Sequence, residues 1–295
     1  MKEKITAVDR MQRYIAEHLN EDISLDALAG AAGYSKYHAA RLFKELCGET
    51  PFETIRAMRL TKAAQSLQSS DEKIAELALD SGFDSHDGFT RAFAKRFAIT
   101  PQKYQRETPA VRWFVPYSIL DYYQLKEGAE PMSKEQNSRT MTVTAVERTA
   151  RKLILLRGLK ATDYFSFCEE VGCDWEGILG SIPEKFDSPA ILTLPPNLIT
   201  QGTGSTSAGV EVPLDYDKPI PDGFDVVELP PCTMLYFQGA QFEDFCEAID
   251  TLWDLMEGYD PKAFGWEYAD ELAPYFNFGT DDNVRAKMAK PVKKC

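Results

Sequence analysis

Two short stretches of this chain carry side chains of the kind that read DNA base edges. In the first, Lys36, Tyr37, Ala40, Arg41 and Lys44 follow Ser35 at helix spacing; in the second, His86, Asp87, Gly88, Arg91, Lys95 and Arg96 follow Ser85. Arginine presents a fork of donors that matches the O6 and N7 acceptors of guanine, so Arg41 and Arg91 suit base reading. Lys44, Lys95 and Arg96, with the amides at the two helix starts, suit phosphate, which positions a protein without reporting sequence. Asp87 can only accept, as from a cytosine amino group; Ala40 can meet a thymine methyl, and Gly88 offers no polar contact. A single such stretch is equally well a solvated amphipathic helix. Two aligned copies, each with an arginine six residues after its serine, are poorly explained that way.

The stretches sit in a repeat. Leu25 to Pro51 (LDALAGAAGYSKYHAARLFKELCGETP) aligns with Ile74 to Pro101 (IAELALDSGFDSHDGFTRAFAKRFAITP). Leu28 matches Leu77, Ala29 matches Ala78, Gly33 matches Gly82 and, past a one-residue insertion at Asp84, Phe43 matches Phe93. Each copy reads as a short helix, a glycine turn and a longer basic helix, an arrangement that lets one chain meet two successive stretches of major groove. Val8, Met11, Ile15 and Leu19 predict a preceding helix. Thr50-Pro51 opens a long connecting helix through Leu67, Asp71 is expected to open the second copy, and Pro101 starts a short last helix holding Tyr104.

The length of 295 residues suits two domains. Net charge is −13, which alone argues against nucleic acid. Of the 33 Lys+Arg and 46 Asp+Glu, however, 16 of each fall within residues 1–108, leaving 17 and 30 beyond. The first part is therefore neutral, and a neutral domain binds DNA when its bases gather on one face. No apolar run approaches a membrane span, and the charged N-terminus lacks the apolar block of a signal peptide, so no membrane partner is expected and the cytoplasm is the expected compartment. The six cysteines form no CxxC pair. All three histidines (His18, His38, His86) precede residue 108, which leaves the second half without a histidine for a metal or a Ser-His-Asp arrangement. His18 and His38 read as structural. No catalytic residue, metal site or cofactor is expected. QGTGSTSAG (201–209) lacks the GK[ST] ending of a phosphate loop and reads as a flexible loop.

Residues 109–127 are too aromatic for a free linker, whereas Gly128 to Ser138 has linker composition. The expected division is thus 1–108, a connector over 109–138, and 139–295. The last part alternates strands and helices. Asp163 to Leu179 and Gln241 to Glu257 show helix periodicity, and KLILLRG–helix–Trp175 echoes TMLYFQG–helix–Trp253, which predicts an α+β domain of two β-α-β pseudo-repeats around a seam. Seams of this kind are common ligand sites.

The stretches GYSKYHAARLFKELCGETP and GFDSHDGFTRAFAKRFAITPQKY, with Arg59-Leu60 between them, resemble the AraC/XylS family of transcription regulators over about residues 8–106. That resemblance implies seven helices forming two helix-turn-helix units, with reading positions at Tyr37, Ala40 and Arg41, then His86, Asp87, Gly88 and Arg91. Ala40, Asp87 and Gly88 depart from the family pattern, so an operator sequence does not carry over.

RKLILLRGLKATDYFSFCEEVGCDWEGILGSI, GVEVPLDYDKPIPDGFDVVELPPC and MLYFQGAQFEDFCEAI resemble the GyrI-like effector-binding domain over about residues 139–293. This implies an aromatic cleft for lipophilic, often cationic, small molecules. Where many members place Phe-Glu-x-Tyr, this chain has Phe276-Asn277-Phe278-Gly279, and Glu267 is the nearest replacement carboxylate. The expected lining is Trp175, Tyr236, Trp266, Glu267, Tyr268, Phe276 and Asn277, although aromatic residues on helix and strand faces more often form core. The expected fold is therefore multidomain: an all-α tandem helix-turn-helix domain followed by an α+β GyrI-like domain. The expected function is a sequence-specific transcription regulator, not an enzyme, with double-stranded DNA, a small-molecule effector and RNA polymerase as partners. A small-molecule hydrolase or a protein-binding module stays open for the second domain.

Overall fold

The computed structural model describes every residue except Asp71, Asp121, residues 124–139, Glu243, Asp282 and Asn283. Asp71 and the linker-like stretch 128–138 thus lie outside the described residues. The chain divides into two compact units, Met1–Ala129 and Glu130–Cys295.

In the first unit the described helices include α1 (Lys2–Glu17), α2 (Leu25–Ala32), α3 (Lys36–Cys47), α4 (Pro51–Ser69), α5 (Ile74–Asp80), α6 (His86–Phe97) and α7 (Pro101–Glu107). Local chemistry starts and stops them. Ser24 accepts from the Ala27 amide, and Thr50 forms a capping box with Glu53 ahead of Pro51. Gly33 (φ 71°) and Gly82 (φ 73°) hold the left-handed position of the two turns, where a side chain is strained. Each turn closes with the same bond: the Tyr34 amide donates to Ala29 O (3.1 Å), and the Phe83 amide to Ala78 O (3.1 Å).

Two cores result. Met11, Ile15, Leu28, Leu42 and Phe43 fill the first; Leu77, Phe89, Phe93, Phe97 and Tyr104 fill the second. Helix α4 serves both, giving Ile55 to the first and Leu60, Ala64 and Leu67 to the second. The aromatic stretch after α7 packs back on the helices. Val111 and Trp113 join the second core and Ile119 the first, while the Phe114 amide donates to Thr61 Oγ1 and the Ile119 amide to Gln12 Oε1.

The second unit holds β1 (Met141–Arg148), β2 (Arg151–Arg157), α8 (Tyr164–Val171), α9 (Asp174–Gly180), β3 (Ala190–Thr193), β4 (Thr206–Pro213), β5 (Asp225–Leu229), β6 (Cys232–Gly239), α10 (Phe245–Glu257), β7 (Trp266–Tyr268), β8 (Tyr275–Thr280) and β9 (Ala286–Lys294). The single helix expected over 163–179 is two, broken at Gly172. The apolar spacing runs through the break, so periodicity did not reveal it. Helix α10 starts at Phe245 instead of Gln241: Asp244, with extended backbone, caps it by accepting the Glu247 amide, while the Phe242 amide donates to Val284 O. Strand β4 begins at Thr206, inside the glycine-rich stretch read as a loop.

Among the described residues one nine-stranded sheet forms, in the order β1-β6-β9-β8-β3-β4-β2-β5, with β7 also paired to β9. It is rolled. Strands β1 and β2 lie six places apart, about 29 Å if flat at ~4.8 Å per strand. Yet only Thr149 and Ala150 join them, a link that reaches roughly 11 Å. Pro230 and Pro231 tie β5 to β6 in the same way. The inner face follows from register: Tyr236, Ala289, Phe276 and Leu192 are laterally paired, so their side chains share one face. Leu153, Leu155, Met234 and Ala289, from strands far apart in the order, meet there in one core. Helix α10 covers the opposite face over Leu235, Phe237 and Met288.

Candidate functional site

On the first unit, the turn-and-helix geometry sorts the predicted residues cleanly. Helix α3 buries Ala39, Leu42 and Phe43, and α6 buries Phe89, Phe93 and Phe97. What remains outside is Lys36, Tyr37, Arg41 and Lys44 on α3, and His86, Asp87, Arg91 and Lys95 on α6, with Ala40 and Gly88 half-buried. Tyr37 is 90% exposed. An aromatic ring in water at the start of a helix gains nothing from the core and is free to stack on or bond to a ligand.

The exposed groups have local partners. Lys36 Nζ pairs with Asp26 of α2 at 2.7 Å, Arg41 lies 3.4 Å from His38 Nδ1, and His86 lies 3.5 Å from Asp87. His38 itself packs on Tyr34 and His18 on Tyr14, with ring centroids 4.5 and 4.2 Å apart. Arg96 differs from the exposed basic residues. It is half-buried, and its guanidinium lies over Phe114 at 5.9 Å.

On α4, the helix shared by the two cores, lies Arg59, which the sequence marks only as part of Arg59-Leu60. Its Nε donates to Leu19 O (2.9 Å) and its Nη2 to Glu21 O (2.5 Å) in the α1–α2 turn. The same guanidinium fills the space beside Gly82, where a Cβ would come within 2.5 Å of Nη1. One side chain on the shared helix thus touches the α1–α2 turn and the turn of the second helix-turn-helix unit.

In the second unit the seven predicted lining residues separate. Tyr236 and Phe276 share the concave face. Asn277 pairs with Met288 on the opposite parity and uses its Oδ1 to accept the Gly279 amide (3.0 Å). Trp175 is buried on α9 with its ring edge-on to Phe167. Trp266 and Tyr268 pack beside the α10 core, and Glu267 is held at the sheet edge by Lys293 (3.2 Å).

The concave face holds a polar cluster that the sequence reading missed. Arg151 is fully buried and donates to Glu211 Oε1 (2.5 Å) and Pro230 O (2.8 Å). Arg148 donates to Tyr236 Oη (2.5 Å) and Asp187 Oδ2 (3.1 Å), lies 3.7 Å from Glu211, and stacks over Phe186 at 5.1 Å. Tyr236 Oη donates to Asp187 Oδ2 (2.9 Å), and Lys287 Nζ bonds Asp187 Oδ1. Lys287 Nζ also stands 5.0 Å from the Tyr236 centroid and 4.7 Å from that of Phe278. Burial pushes the Tyr236 phenol up, and the Asp187 carboxylate adds to the effect. Ser207, fully buried in the Tyr236–Phe276 row, has a hydroxyl without a partner among the described residues. The signal available in the sequence was Glu211, a charge inside the otherwise uncharged β4, and Arg151 at the head of the apolar run of β2. Among the described residues no group of three His, Cys, Asp or Glu side chains is placed to hold a metal ion. No helix there is long and apolar enough to cross a membrane.

Helices α2–α3 and α5–α6, each closed by a left-handed glycine and each presenting an exposed basic helix, make the first unit a tandem helix-turn-helix module. A helix-turn-helix domain family matches residues 28–107. The right origin-binding protein of Escherichia coli K12 is 45% identical over 93 residues, 32% of this chain and 32% of that protein. The match thus spans about a third of that relative's length. The probable transcription factor PqrA of Proteus vulgaris is 46% identical over 86 residues, 29% of this chain and 70% of that protein. An AraC-type DNA-binding regulator of Chromobacterium violaceum has a solved structure with 28% identity, covering 34% of this chain and 90% of its own, at a TM-score of 0.33. The chain belongs to the AraC/XylS family of transcription regulators.

Proposed function

We propose that this protein is a sequence-specific DNA-binding transcription regulator whose second unit senses a small molecule. The observation that carries the first part is the duplicated reader: two identically closed turns, each followed by a helix with a buried apolar face and exposed arginine. Such helices enter successive major-groove segments, about one helical turn apart, with Arg41 and Arg91 on base edges and Lys44 and Lys95 on phosphate. Replacing Arg41 or Arg91 by Ala is expected to weaken binding to a selected operator by about 1–3 kcal/mol at fixed salt. Unchanged affinity and specificity in both variants would overturn the assignment.

The sensing part is supported by the sheet. Exchanging β1 with β5, β2 with β6, β3 with β8 and β4 with β9 turns the strand order into itself read backwards. Each half is two strands, a helical segment (α8–α9 or α10) and two strands, with β7 extra in the second, fuller than the β-α-β unit read from sequence. The two halves pair centrally at β3–β8 and exchange their first strands, β1 onto β6 and β5 onto β2, and the inner face beside β8 carries Tyr236, Phe276 and Phe278 with the charged cluster. This fits a GyrI-like effector domain. Small-molecule occupancy of the second unit is expected to change operator affinity; a bound compound that leaves both DNA affinity and transcription unchanged would contradict the sensing role.

A further inference from the structure

The Asp187 carboxylate sits where a bound anion would. It receives bonds from Arg148 Nη2, Tyr236 Oη and Lys287 Nζ, three donors from β1, β6 and β9 that converge on one acid. The donors belong to the sheet, whereas Asp187 lies between α9 and β3, outside any regular element. Beside it Phe278 stacks on Phe276 (5.7 Å) and on Tyr236 (6.0 Å), giving a row of three near-parallel apolar rings.

From this arrangement we infer that Arg148, Tyr236 and Lys287 form the head-group site for a small aromatic anion, a carboxylate or its equivalent, and that Asp187 is a built-in stand-in which the ligand displaces. The inference rests on the sensing role proposed above and names the chemistry of that same site.

Charge decides between anion and cation. The cluster holds Arg148, Arg151 and Lys287 against Asp187 and Glu211. Glu211 is committed to buried Arg151 and cannot leave without stranding it. Removing Asp187 leaves three cations facing one acid, a site that attracts an anion. A cationic ligand would instead meet Lys287 already seated over both Tyr236 and Phe278, the place a cation takes on aromatic faces. It would also meet Arg148, whose side chain is only 17% exposed and is held on three sides. The resemblance implied ligands that are often cationic. In this chain the cation is supplied by the protein.

The test is calorimetric titration of the full chain with three probes of matched shape: 1-naphthoate, 1-naphthylmethylammonium and 1-naphthalenemethanol. Naphthoate is expected to bind the wild type at least about tenfold more tightly than the ammonium probe. Asp187→Asn, which removes the competitor and keeps the side-chain shape, should tighten naphthoate about fivefold or more and leave the ammonium probe no tighter. Lys287→Met, which leaves Asp187 on Arg148 and Tyr236, should weaken naphthoate and gives a reading independent of the Asp187 variant. A preference for the ammonium probe, or naphthoate affinity unmoved or weakened in Asp187→Asn, overturns the anion assignment while the sensing role stands. So does the absence of binding by all three probes to both wild type and Asp187→Asn. The sensing role falls separately, when a compound that binds the second unit leaves both operator affinity and transcription unmoved.

Discussion

The two helix-turn-helix copies close their turns with the same backbone bond and bury a phenylalanine at the same place, Phe43 and Phe93, yet they fill the space around it differently. In the first copy it shares a core with aliphatic side chains such as Met11, Ile15 and Leu42. In the second it lies between Phe89, Phe97 and Tyr104, with ring centroids 5.6, 4.7 and 5.6 Å away. The outward faces differ again, basic with a free tyrosine on α3, mixed in sign on α6. The turn is what a helix-turn-helix unit must keep, because its geometry fixes where the second helix points. Core filling needs only matched volume, and the exposed face is free to change without disturbing the fold.

That contrast can be tested by paired substitutions. Phe93→Ala should cost about 3–5 kcal/mol and Phe43→Ala less, since only Phe93 also loses aromatic edge contacts; denaturant unfolding followed by helical circular dichroism measures both. The turn glycines should differ next. Gly33→Ala meets open space and suffers only the positive φ, about 1 kcal/mol. Gly82→Ala must also push the Arg59 guanidinium off its bonds to Leu19 O and Glu21 O and should cost up to about 1 kcal/mol more; equal costs would mean that Arg59 swings aside freely.

Caps come third. Thr50 has a full capping box with Glu53, whereas Thr100, its counterpart, makes one bond to the Lys103 amide. Thr50→Ala should therefore cost about 1 kcal/mol and Thr100→Ala less. Bonds from the Thr50 backbone and side chain hold the Glu53 carboxyl below its ordinary range. A lowered folded pKa contributes stability above the ordinary carboxylate pKa and loses it as pH falls through the lowered value. Glu53→Gln should remove that part of the acid transition. The smallest effect is at the ends of the reading helices, where Gly48 and Ala98 both take left-handed φ, 81° and 57°. Ala98→Gly should gain up to about 1 kcal/mol and Gly48→Ala lose a similar amount, read as opposite shifts in unfolding midpoint.

Much of the first unit was legible because its information is local. The repeat, the turn glycines and Thr-Pro starts act within a few residues, and helix spacing alone separated Arg41 and Arg91 from Phe43 and Phe93. Arg59 was less legible, since its partners at Leu19, Glu21 and Gly82 are remote in sequence. The second unit resisted for the same reason. Tyr236 is joined to Arg148 and Asp187 across 88 and 49 positions, and strand order depends on pairings such as β1 with β6 that no local pattern encodes. Aromatic type suggested Trp175, Trp266 and Tyr268 as lining, but their faces depend on register and on the break at Gly172.

The central claim is that one chain carries two readers with different preferences. It is tested most directly by a base-by-base substitution scan of a selected operator at fixed salt, with wild type, Arg41→Ala and Arg91→Ala. Each variant should lose discrimination, about 1–3 kcal/mol, at its own group of positions, and the two groups should be different sequences about one helical turn apart. Loss at the same positions in both variants, or two groups that form a palindrome, would contradict it.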